Sequence, residues 1–177
     1  MKKAEGKKEM DKGQNKIVIT NGYLDRAIMR TPEGPQLTPL VKAIIKKSFT
    51  AKTSYWLARV FDEFPGKFKI YLSEQQKLID KYAKRHDEDG AEREKDKDGN
   101  EVKGGKVIKS WKKGDMITDG QSVSLNNIQE FQREITELTE IEIEVGINKI
   151  DFDLDKEPSC TVEEMSLLLP LIEVKEV

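Results

Sequence analysis

The apolar residues Leu57, Val60, Phe61, Phe64, Phe68, Tyr71, Leu72, Leu78, Ile79 and Tyr82 recur at intervals dominated by three and four, and this periodicity constrains the chain more than any other feature. Such spacing lays them along one face of a helix, close to a coiled-coil seam, with alternating charges such as Arg59, Asp62, Glu63, Lys67 and Lys69 on the flanks. A long helix opening near Thr53, a candidate cap, is therefore expected. Pro65-Gly66 interrupts the seam. Proline removes a ladder hydrogen bond and glycine weakens the local helix, so a kink or short break is expected there. A second seam runs from Ser124 through Leu125, Ile128, Phe131, Ile135 and Leu138. Two seams joined by a polar excursion bury each other only by folding back, which predicts an antiparallel helical hairpin with segment 86–123 at its tip.

Shorter elements flank the hairpin. Ile17-Val18-Ile19 reads as a strand, and Thr20 and Asn21 are cap candidates for a short helix carrying Tyr23, Leu24, Ala27 and Ile28. Thr31-Pro32-Glu33-Gly34-Pro35 stops that helix, and Thr38-Pro39 starts another with Leu40, Val41, Ile44, Ile45 and Phe49 on its apolar face. Within the tip, Asp98-Gly99-Asn100 is a turn signature flanked by Val102, Val107, Ile108 and Trp111, as in a small exposed hairpin. After Thr139 the period changes to two: Ile141, Ile143, Val145 and Ile147, then Ile150, Phe152 and Leu154, alternate with polar residues as in half-buried strands. Thr161-Val162-Glu163-Glu164 is a capping box before a helix that Pro170 ends. The fold class expected is mainly α with a small β part (α+β): an antiparallel helical hairpin packed with short helices and a short β/extended segment. One domain spans 17–177, and 1–16 is a flexible lysine-rich tail.

Composition agrees with this architecture. Hydrophobic and charged residues each make up 36% of the 177 residues, a balance that suits narrow apolar stripes with wet flanks better than a compact α/β enzyme. The net charge of −2 implies no global pull towards nucleic acid or acidic lipid. A single cysteine, Cys160, excludes an intrachain disulfide and is compatible with a reducing compartment. The lysine-rich beginning has no apolar run behind it and so is not a secretory signal, and no stretch is apolar enough to span a membrane.

Each tempting fragment of chemistry meets a plainer reading. Asp96-Lys97-Asp98-Gly99-Asn100 looks like the start of a calcium loop, but Gly105 stands where a bidentate glutamate is needed. His86 is the only histidine, which excludes a histidine-based zinc tetrad and leaves Ser-His-Asp chemistry one mobile base. Cys160 has no adjacent base. Neither a P-loop nor a dinucleotide fingerprint occurs, so no cofactor is expected. Asp151, Asp153 and Asp155 share one edge of a strand and are weak candidates for a metal or a basic partner, the plain alternative being a solvent face. For nucleic acid the best stretch is Lys42, Lys46, Lys47, Lys52 and Arg59 with Tyr55 and Trp56: lysines contact phosphates and aromatic rings stack on bases. Ordinary helix surface and core packing is the competing account.

Residues 17–21, then Lys46-Lys47 and Lys52-Thr53-Ser54-Tyr55-Trp56-Leu57-Ala58-Arg59, the Asp-Gly-Asn turn, the alternating segment 140–150 and the closing helix 161–172 occur in an order that resembles a small family. Its members are encoded by tailed bacteriophages and prophages and are described mostly as a domain of unknown function. The resemblance covers residues 17–172 and departs at 31–36, at Pro65-Gly66 and in the lysine-rich tail. It carries over no catalytic residues. What it implies is a non-enzymatic phage accessory or structural protein that works through protein contacts of its helical hairpin. Its partner would be a virion component or a host protein, with self-association a further option, in the host cytoplasm or on the virion. The alternative is a nucleic-acid-binding accessory protein using residues 42–59.

Overall fold

The computed structural model describes residues 15–120 and 122–175, so most of segment 1–16 lies outside the described residues, while Lys16 opens a strand. Side-chain caps set the first elements. Strand β1 (Lys16–Thr20) ends in Thr20, whose hydroxyl accepts the Tyr23 amide at 3.1 Å and so starts α1 (Asn21–Ala27). Where only a helix stop was expected, β2 (Ile28–Thr31) and β3 (Gly34–Leu37) form an antiparallel hairpin. Its tight turn needs Gly34, which has φ +117°. Thr38 then caps α2 (Pro39–Ile45), with proline in the first turn.

The long seam is α3 (Ala51–Tyr82), a single helix. One expectation is corrected here. The helix opens at Ala51 rather than near Thr53, because Thr50 takes the capping place and Thr53 is buried. Of the kink or short break expected at Pro65-Gly66, the break is absent, since one helix runs through both residues. Phe61, Phe64 and Phe68 are all buried on one face around that point, and their packing holds the helix together despite the lost ladder bond.

Strands β4 (Gly90–Arg93) and β5 (Val107–Trp111) form an antiparallel hairpin around the Asp-Gly-Asn turn, and β6 (Thr118–Asp119) pairs with β7 (Ser122–Val123). Helix α4 (Ile128–Glu140) begins later than Ser124 because Leu125 is held in a β-bridge to Ala83. The alternating segment becomes β8 (Glu142–Asn148) and β9 (Ile150–Phe152), separated at Lys149. These two do not pair with each other. Strand β8 lies antiparallel to β1, whereas β9 pairs in parallel with β10 (Ile172–Val174), a strand that follows the capping-box helix α5 (Val162–Leu168). Among the described residues the fold is α+β, with five helices and five two-stranded sheets. No described helix is long and apolar enough to cross a membrane.

The chain divides into two compact units, with boundaries inside α3 and α4. The first comprises the residues up to Ser73 and those from Glu137 onward. Its core is one cluster: Ile17 and Ile19 of β1, Leu24 of α1, Val41 and Ile44 of α2, the aromatic face of α3, Val145 and Ile147 of β8, Phe152 of β9, and Leu167 and Leu168 of α5. Phe64 is its centre. The ring meets Tyr23 and Phe61 edge-on at 5.7 and 5.4 Å, arrangements worth about 0.5–1.5 kcal/mol each beyond their burial. Tyr23 keeps its hydroxyl satisfied by donating to the Leu167 carbonyl at 2.6 Å.

The second unit, Glu74–Thr136, is thin. Among its described residues the buried apolar side chains are those of Tyr82 and Ala83. Tyr82 packs edge-on against Phe131 and donates to Glu134, which also accepts from Lys81 at 2.8 Å. The Lys84 amide donates to the Ser124 carbonyl, and the Asn126 amide donates to that of Tyr82.

Candidate functional site

The basic and aromatic stretch 42–59 does not stay together in the fold. Lys46 lies exposed at the end of α2. Lys47 turns the other way: it pairs with Glu164 at 2.9 Å and donates to the Ser159 carbonyl at 3.0 Å. Its ammonium anchors the start of α5, where the Thr161 amide, and then Lys47, hold the Glu164 carboxyl below the ordinary glutamate range. Lys47 is thus committed to structure.

Lys52, Trp56 and Arg59 follow the spacing of one helix face, and they line a cleft of about 550 Å³ between the opening turns of α3 and the β8–β9 segment. The β8–β9 segment lines it with residues 146–151, among them Lys149 and Asp151, and Asn15 also borders it. Trp56 is half-buried and packs against the core while also lining the cleft. Tyr55 is one position off that face. It stands exposed, edge-on to Trp56 at 5.1 Å, and its hydroxyl accepts from the Arg59 guanidinium at 3.3 Å.

Charge in the cleft is unevenly matched. Asp151 takes Lys52 at 2.9 Å and Lys175 at 3.3 Å, and these two ammoniums, Lys52 foremost, hold its carboxyl below the usual aspartate range. Arg59 and Lys149 have no carboxylate within ion-pairing distance among the described residues. Lys149 escaped sequence reasoning. Its one signal is that it breaks the alternation between Ile147 and Ile150, the point where the chain leaves one ladder for another.

The three aspartates do not converge on a cation. Asp151 is engaged as above, Asp153 binds Lys156 and accepts the Asp155 amide, and Asp155 is exposed. Among the described residues no group of three histidine, cysteine or acidic side chains could hold a metal ion. The calcium-like turn is an Asx turn: Asp96 Oδ1 accepts the amides of Asp98 and Asn100 at 2.9 and 3.0 Å. Burial pushes the Cys160 thiol above its ordinary pKa, which keeps it protonated and a poor nucleophile. His86 lies flat on Trp111.

In the second unit the notable surface is apolar. On α4, which the unit boundary crosses, Phe131, Ile135 and Leu138 are half-covered, Leu138 against the first unit's core, and Ile128 is 57% exposed. On the β4–β5 hairpin Val107 and Ile108 are exposed as well, Ile108 at 66%.

No family model, curated protein or solved structure matches the chain.

Proposed function

We propose that the chain is a non-enzymatic bacteriophage accessory or structural protein whose second unit, an antiparallel helical hairpin, docks on another protein. One observation carries the reading: Ile128 stands 57% exposed at the start of the apolar side of α4, and Val107 and Ile108 are exposed on the β4–β5 hairpin of the same unit. An amphipathic helix left half-covered forgoes the hydrophobic stabilisation that its pattern is built to supply, and larger exposed apolar patches mark association surfaces. The hairpin arrangement is supported by contacts within that unit. Lys84 meets Ser124, Ala83 meets Leu125, Tyr82 meets Phe131 and Lys81 meets Glu134, partners that advance in opposite chain directions. The non-enzymatic part of the reading is supported by His86 stacking on an indole and by the protonated Cys160 thiol.

The phage context comes from the motif order across residues 17–172, and with it a place in the host cytoplasm or on the virion. The test is affinity purification of the full chain from infected cells and from purified particles, alongside Ile128→Glu and Ile108→Glu. A partner retained by the wild type and lost from Ile128→Glu, with unchanged circular dichroism, is the expected result. A monomeric wild-type protein that retains nothing from either source removes the proposal.

A further inference from the structure

We propose that the cleft between α3 and the β8–β9 segment binds a nucleotide, with the base on Trp56 and the phosphate held by Arg59, Lys149 and Lys52. The site lies in the first unit and is independent of the protein-docking surface of the second.

Four features carry it. The cleft, about 550 Å³, falls within the range of small-ligand sites and exceeds what a lone inorganic anion needs. Its cations come from two separate elements that face one another, Arg59 and Lys52 on α3 and Lys149 at the β8–β9 junction, so they converge on a common space rather than spreading over one helix surface. Arg59, whose printed hydrogen bond is to the Tyr55 hydroxyl, and Lys149 make no carboxylate ion pair within 4 Å among the described residues, and a guanidinium and an ammonium lining one cleft are well suited to phosphate oxygens. Trp56 is already fixed by core packing and by the Tyr55 ring, so a base can stack on it at little further ordering cost.

Asp151 refines the picture. Its carboxylate is shared by Lys52 and Lys175, so a phosphate entering the cleft can draw Lys52 away while Lys175 keeps the aspartate paired. Lys46 and Lys47 play no part. One is exposed on another element and the other is tied to Glu164.

A free mononucleotide and a single-stranded nucleic acid present the same chemistry, and titration distinguishes them. The full chain is titrated with adenosine monophosphate and, separately, with a labelled short oligothymidylate, reading fluorescence anisotropy and tryptophan quenching at several salt concentrations. Binding of either probe, weakened at least tenfold by the double replacement Arg59→Ala/Lys149→Ala and unchanged by Lys46→Ala, is the expected result. Mononucleotide binding alone assigns the site to a free nucleotide, and tighter oligonucleotide binding assigns it to a strand. For a strand, each phosphate contact removed lowers the magnitude of the log–log salt slope by about 0.7. Trp56→Phe keeps a packed ring and retains binding, whereas Trp56→Leu loses it with the thermal transition as a folding control. No binding of either probe at low salt, or equal losses in Lys46→Ala and the cleft variant, overturns the assignment.

Discussion

His86 and Trp111 stack with ring centroids 4.6 Å apart and planes inclined by only 15°. On the opposing strand, Gly90 faces Trp111 across the β4–β5 ladder, and a Cβ built there would lie 2.5 Å from the indole. The stack therefore depends on a missing side chain. Gly90→Ala is expected to drive the indole off the imidazole and destabilise the second unit by about 1–3 kcal/mol. Tryptophan fluorescence and the His86 ring resonances report the change. An unaltered indole environment would show that the glycine is dispensable.

Phe64 lies at the centre of the first unit's core, fully buried and edge-on to two aromatic rings. Phe64→Ala should cost about 3–5 kcal/mol, since transfer energy and a residual cavity both count against it. Urea unfolding followed by far-ultraviolet circular dichroism measures this, and a loss below ~1 kcal/mol would mean that the core collapses into the space.

The loop after β9 is clamped to the start of α3 through Glu157. Burial pushes this carboxyl up, but Thr53, the Thr50 amide at 2.8 Å and the Thr50 hydroxyl at 2.7 Å donate to it and together hold it below the ordinary glutamate value. A carboxyl whose folded pKa is depressed contributes stability that is present above its unfolded pKa of about 4.3 and is lost as the pH falls through the folded value. Wild-type stability should thus decline from about pH 5 downward, and Glu157→Gln should be less stable at neutral pH with a flatter acid limb. Thermal midpoints across that range decide it. Parallel acid limbs for the two proteins would exclude Glu157 as the source.

Thr161 and Glu164 satisfy each other's backbone amides at the start of α5, and Lys47 adds an ion pair. Thr161→Ala should cost about 1 kcal/mol, as for other lost N-caps. Lys47→Ala should also lower stability while leaving nucleotide binding intact, which separates its structural part from the cleft lysines. Denaturant midpoints and the anisotropy titration measure the two effects.

The caps at Thr20, Thr38 and Thr161 were legible because each depends on residues within one helical turn. The α3 seam was legible for a similar reason, since a period over many residues outweighs one Pro-Gly pair. What the sequence concealed depends on distant partners. Leu125 has helical spacing but is claimed by a bridge to Ala83, so α4 starts at Ile128. The strand Ile172–Val174 is too short to announce itself and exists because Ile150–Phe152 offers an edge. The candidate site was half legible. Lys52, Trp56 and Arg59 share a face in the sequence itself, but nothing local distinguishes Lys47, which Glu164 removes from the surface, from Lys149, which the β8–β9 junction brings into the cleft.

The pairing of β1 with β8 has a consequence for synthesis. Thr20 faces Glu142 and Ile19 faces Ile143, so the ladder joins residues made early to residues made late. On the ribosome, the buried side chains of Ile17 and Ile19 have no strand to close over until the β8 segment has been translated. The helices α1 and α2 can form locally in the meantime, but the core cannot be sealed. A nascent chain stalled before Glu142 should therefore bind chaperones and be cut readily by protease, and a chain released past Val174 should not.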